Sequence, residues 1–142
     1  VPKFGKKSLE RLDECHPDLQ KIMNELVTQM DVTILCGYRS KEEQEQAFIA
    51  GNSKLRFPNS KHNKKPSLAV DVAPYPVDFN KIVGFIDMLK KVEEIAAKLD
   101  IKIMLGRDFS FRDYPHIELV TEADMRSGLY MNSLKKRPKP AV

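Results

Sequence analysis

The six residues Leu68-Ala69-Val70-Asp71-Val72-Ala73 constrain this chain more than any other stretch. Their apolar, β-branched character, ended by Pro74 and Pro76, predicts a strand. Leu68, Val70 and Val72 then share one face, and Ala69, Asp71 and Ala73 share the other. The bulky face suits a core. The other presents a carboxylate between two alanines, which leaves open space around it. A charge in so apolar a strand is costly unless it is compensated. Asp71 therefore requires a cation: an Arg or Lys partner, which is the plainer reading of the strand alone, or a metal ion.

Patterns of both periods surround this strand. Leu19, Ile22, Met23, Leu26, Val27 and Met30 recur at helical spacing behind His16-Pro17-Asp18, a helix start with proline at the first position and an acid in the first turn. Val32 to Cys36 reads as a strand leaving through Gly37. Ser40-Lys41-Glu42-Glu43 is a capping box for a helix from Lys41 to Ala50. Residues 52–66 form a long loop with two prolines, three asparagines and two serines, a length that in compact domains usually serves function. Asp78 is expected to cap a long helix with its apolar face at Phe79, Ile82, Val83, Ile86, Leu89, Val92, Ile95, Ala96 and Leu99. Ile101–Leu105 and His116–Val120 are short strands, and Thr121 opens a short helix. Helices and strands mix without regular alternation. The expected fold is therefore α+β: one domain with a small, mostly antiparallel sheet packed against helices and a site in a cleft on the sheet.

At 142 residues the chain can bury a core without disulfides. No apolar run is long enough to span a membrane, and residues 1–14 carry charges throughout rather than the apolar middle of a signal peptide. The net charge of +4 hints at a polyanionic partner, but it resides in Lys135, Lys136, Arg137 and Lys139. Without them, residues 1–134 hold 20 basic and 20 acidic side chains. The expectation is a neutral folded domain over 1–134 and a basic, disordered tail over 135–142. Lys54, Arg56, Lys61, Lys64 and Lys65 form one local basic run. Cys15 and Cys36 fit neither a four-sulfur zinc site nor a Cys-x-x-Cys redox pair and read as reduced thiols.

His62 lies in the long loop nine positions before Asp71, and His116 opens a second strand. Two imidazoles and a carboxylate are a suitable donor set for Zn²⁺, and three protein ligands leave one position open for chemistry. Asp113, three residues before His116 across Pro115, is placed to act as a general base, although a solvated loop aspartate is the plainer reading of its spacing. Glu118 alternates onto the face of His116 and could orient its ring, or be an ordinary surface acid. Arg39, at a strand end, could clamp a carboxylate or steady an oxyanion. His16 is explained by helix capping.

Gly37-Tyr38-Arg39-Ser40, Ser60-Lys61-His62, Ala69-Val70-Asp71 and Asp113-Tyr114-Pro115-His116 together resemble the D-alanyl-D-alanine carboxypeptidase and dipeptidase clan of zinc peptidases. The branch most similar is the phage L-alanyl-D-glutamate endopeptidases, endolysins that cut the peptide stem of peptidoglycan. Phe4-Gly5-Lys6-Lys7-Ser8-Leu9, His16-Pro17-Asp18-Leu19-Gln20, Gln44 and Gly51-x-Ser53 also look like that branch.

The resemblance implies that His62, Asp71 and His116 bind zinc, that Asp113 is the base, and that Arg39 binds substrate or the oxyanion. It also places Ser60 at a position that supports a ligand or the substrate. The chain departs from the pattern in a longer loop between the first two ligands and in having no tryptophan; Phe109 and Phe111 are the nearby substitutes. Bacterial peptidoglycan is the implied partner, with no nucleic acid, no membrane insertion and a monomeric enzyme. The implied setting is the host cytoplasm until release to the wall. Two rivals remain at this stage: a D-Ala-D-Ala carboxypeptidase of the same clan, and a basic nucleic-acid-binding or metal-nuclease protein.

Overall fold

The computed structural model describes residues 2–138. Six helices, α1 (Lys6–Asp13), α2 (Pro17–Gln29), α3 (Lys41–Ile49), α4 (Ile82–Leu99), α5 (Glu122–Arg126) and α6 (Leu129–Lys135), accompany four strands. The strands β1 (Val32–Cys36), β2 (Ala69–Pro74), β3 (Ile103–Leu105) and β4 (His116–Leu119) form one antiparallel sheet in the order β1-β2-β4-β3. This is the expected α+β architecture. Among the described residues, no helix is long and apolar enough to cross a membrane.

Local chemistry accounts for several boundaries. His16 Nδ1 accepts the backbone N–H of Asp18 at 3.0 Å, and Pro17 fills the first turn of α2. The Ser40 hydroxyl accepts from Glu43 N–H while the Glu43 carboxylate accepts from Ser40 N–H, closing the capping box of α3. The stripe Leu19, Ile22, Met23, Leu26 and Val27 is buried in one core cluster with residues of α4 and with the sheet residues Ile34, Val70, Val72 and Ile117.

Four expectations need correction. Ala69 and Ala73 do not border open space: both are fully buried, because β2 is an inner strand covered on both faces. Asp78 does not cap α4. Its carboxylate accepts from Asn80 N–H in a preceding turn, and the helix starts four residues later, at Ile82. The buried face of α4 is Phe85, Met88, Leu89, Val92, Ile95 and Ala96, whereas Phe79, Ile82, Val83, Ile86 and Leu99 are exposed. Two helices, α1 and α6, escaped the periodicity reading. The boundary expected after residue 134 falls inside α6, and the segment beyond it is tethered: Lys136 Nζ donates to Asp108 O and Arg137 Nη2 to Ile103 O. Residues 139–142 lie outside the described residues.

Candidate active site

Strand register builds the centre of the site. Asp71 on β2 lies opposite His116 on β4, and Cys36 at the end of β1 lies opposite Asp71 from the other side. The third segment is the single 3-10 turn Lys61–Asn63 within the long loop. Ser60 caps this turn, its hydroxyl accepting from His62 N–H at 3.2 Å while Asn63 Oδ1 accepts from Ser60 N–H at 3.0 Å. Arg39 N–H donates to His62 O at 2.8 Å, fastening the turn to the end of β1. Ser60 therefore acts on the position of His62 through the backbone.

His62 Nε2 and His116 Nδ1 each lie 3.2 Å from the same oxygen, Asp71 Oδ1. Each ring has its other nitrogen engaged. His62 Nδ1 donates to the Gly37 carbonyl at 2.7 Å, and His116 Nε2 donates to Glu118 Oε1 at 2.8 Å. Such outer acceptors turn a lone pair of each imidazole inward. Tetrahedral zinc with bonds of about 2.0–2.1 Å holds its donors about 3.3 Å apart, close to the two separations from Asp71 Oδ1. Imidazoles and carboxylates suit a metal ion chemically, and by proximity the two histidines fall in separate donor groups that share Asp71.

The same closeness dictates the electrostatics. Burial opposes a charged imidazole, but the Asp71 carboxylate outweighs it and raises His62 to about 10. His116 is likewise raised to about 9, against burial, by its bonds to Asp71 and Glu118. Asp71 is held far below the usual carboxylate range because the two imidazoles overcome the effect of its own burial. Asp113 moves the other way: burial, and then the neighbouring Asp71 charge, raise it above the ordinary aspartate value. That direction suits a proton acceptor. A ligand oxygen of Asp113 lies within 4.8 Å of donor atoms of Asp71 and His116, so the carboxylate borders the centre.

Gly106 makes this possible. A Cβ there would collide with the Asp113 carbonyl and the His116 Cβ, so only glycine lets the chain before Asp113 pass so close. Phe109 lies against His116 with ring centroids 5.5 Å apart, whereas Phe111 is exposed beneath Lys54.

Arg39 completes the ring of groups. Its Nη2 is 3.6 Å from Asp71 Oδ2 and its Nη1 donates to Gln44 Oε1 at 3.0 Å. Thus Asp71 has the arginine partner that the strand alone favoured, with the guanidinium beside Oδ2 and the two imidazoles beside Oδ1. Glu118 is no ordinary surface acid, being 12% exposed and bonded to both His116 and Lys61.

Sequence reasoning did not single out the chemistry of Cys36, Lys61 or Asp124. Cys36 Sγ sits 3.8 Å from His62 Nδ1 and belongs to one of two groups of potential metal donors, Cys36–His62–Asp71 and Asp71–Asp113–His116. Its place opposite Asp71 follows from sheet register, which no local pattern encodes. Both cysteines are free; burial above all raises Cys15 to about 12.

Within the basic run, Lys54, Arg56, Lys64 and Lys65 are exposed, the first two and the last lying over Phe111, Phe48 and Tyr38, whereas Lys61 is drawn in among carboxylates.

Comparison with known proteins accords with this geometry. Residues 1–120 match the family described as phage L-alanyl-D-glutamate peptidase. Among solved structures, the crystal structure of the Serratia marcescens L-Ala D-Glu endopeptidase ChiX shares the fold at a TM-score of 0.71 and 24% identity, over 83% of this chain and 90% of that one. No curated protein matches. With the family match spanning most of the sequence, the chain belongs to the phage L-alanyl-D-glutamate peptidases.

Proposed function

We propose that this peptidase cleaves the L-Ala–D-Glu bond of the peptidoglycan stem with a zinc ion held by His62, Asp71 and His116. The observation that carries the reading is the convergence of His62 Nε2 and His116 Nδ1 on Asp71 Oδ1, each ring fixed from behind by an acceptor. When bound, zinc supplies Lewis acidity that polarises a carbonyl and acidifies water.

The remaining roles belong to the chain. Asp113 takes the proton of the attacking water and passes it to the departing amine of D-Glu. Its raised affinity for protons supports that role. Arg39, steadied by Gln44, meets the oxyanion or a substrate carboxylate with a guanidinium that needs little reorganisation. Ser60 and Glu118 hold the two histidines. Phe109 walls the site beside His116. The enzyme acts as a monomer, stays in the host cytoplasm until lysis, and meets the wall through its cleft, aided by the cationic C-terminal residues.

The test begins with zinc stoichiometry by equilibrium dialysis and activity by mass spectrometry of muropeptides. One zinc per chain and a new L-Ala carboxyl end are expected, and alanine at His62, Asp71 or His116 should abolish both uptake and cleavage. Asp113→Asn should keep the zinc yet lose roughly 10²–10⁴ in kcat. Full activity of a chelated, zinc-free sample would overturn the metal reading, and an Asp113→Asn enzyme within threefold of the parent would remove Asp113 from the chemistry.

A further inference from the structure

Lys61 precedes His62, and its side chain, only 17% exposed, lies among carboxylates. Its Nζ lies 2.5 Å from Glu118 Oε2 and 2.6 Å from Asp124 Oδ2, and donates to the Leu119 carbonyl at 2.7 Å. Glu118 passes the contact on to His116 Nε2. Asp124 is fixed in turn: its Oδ2 accepts from the backbone N–H and hydroxyl of Thr121, in the capping box of α5. One ammonium thus joins the turn that carries His62, the strand that carries His116, and the start of α5. Thr121 and Asp124 lie past the residues matched by the family.

We infer that Lys61 and Asp124 are positioning residues for the metal centre, clamping Glu118 so that His116 presents Nδ1 toward Asp71 in register with His62. The inference rests on the zinc reading above. The physical argument is one of compensation. Glu118 and Asp124 approach a single nitrogen, so their oxygens lie no more than about 5 Å apart, where two buried anions repel strongly without the cation between them. Loss of Lys61 drives Glu118 away from Asp124 and frees the ring it holds. Loss of the Asp124 charge leaves the ammonium anchored to Glu118 and Leu119 O alone.

The experiment measures zinc affinity by competition with a chromophoric chelator, the visible spectrum of the Co²⁺-substituted protein, and urea unfolding, for the parent chain, Lys61→Met and Asp124→Asn. Lys61→Met should weaken zinc binding by roughly 10–100-fold and alter the Co²⁺ spectrum. Asp124→Asn should weaken binding by a smaller factor, roughly threefold to tenfold. A lowered urea midpoint with parental zinc affinity and spectrum would overturn the inference, since it marks a purely structural ion pair. Should Lys61→Met fail to fold, Asp124→Asn decides: affinity within twofold of the parent overturns the clamp. A parent chain that takes up no zinc defeats the metal reading itself, which separates the two failures.

Discussion

Gln44→Ala tests how the site holds its arginine. Gln44 is the one buried residue of α3 and has no exposed surface. Its Oε1 accepts from Arg39 Nη1 at 3.0 Å and Asn63 Nδ2 at 3.2 Å, and its Nε2 donates to Ser53 Oγ at 2.9 Å and Leu55 O at 2.6 Å. Truncation removes all four bonds, but they do not cost the same. Ser53 and Leu55 lie near solvent and can turn to water, and Asn63 keeps its bond to Arg39 O at 3.0 Å. The group left wanting is the Arg39 guanidinium, only 16% exposed. A stranded charged donor costs upward of ~1–3 kcal/mol, and the vacated volume adds to it. The expected loss is about 2–4 kcal/mol, read by urea unfolding of the chelated protein. Arg39 would then be held only by Asp71 at 3.6 Å. Its displacement should lower kcat/KM by about 10–100-fold, equivalent to ~1.4–2.7 kcal/mol, while zinc affinity stays near the parent value because no ligand is touched. An unfolding free energy within ~0.5 kcal/mol of the parent, with unchanged kcat/KM, would refute the reasoning.

Three further outcomes follow from other contacts. Gly106→Ala should force the turn before His116 outward and reduce both stability and zinc affinity, since the added methyl meets the Asp113 carbonyl backbone rather than a flexible side chain; unchanged affinity would show that the turn yields freely. Zinc binding at pH 7 should expel about one to two protons per ion, because His62 and His116 are raised to about 10 and 9 and so carry protons at that pH until metal takes their lone pairs. Calorimetry in buffers of different ionisation enthalpy measures this, and a count of zero would contradict the charged imidazoles. Ending the chain after Leu134 should lower unfolding stability by ~1–3 kcal/mol, as it removes the bonds of Lys136 to Asp108 O and Arg137 to Ile103 O; an unchanged urea midpoint would mark the segment as a free arm.

Short-range chemistry was legible in the sequence. The caps of α2 and α3 are set by side chains bonding backbone groups two or three residues away, so His16-Pro17-Asp18 and Ser40 to Glu43 announce them. The alternation around Asp71 and the histidine opening β4 marked the groups that meet at the sheet, because a strand's period puts them on one face whatever packs above. Tertiary structure decided the rest. The start of α4 is apolar at Ile82, Val83, Phe85 and Ile86, so periodicity alone could not choose its buried side. Packing against the core chose Phe85 and Met88 and left the others in solvent. Lys61 gave no local sign of its role: its place among Glu118 and Asp124 joins residues 57 and 63 positions away, an association created by sheet register and chain return. Likewise the basic residues near the C-terminus looked like a solvated tail because charge favours water. Only the folded chain supplies the Asp108 and Ile103 carbonyls that hold Lys136 and Arg137 against the domain.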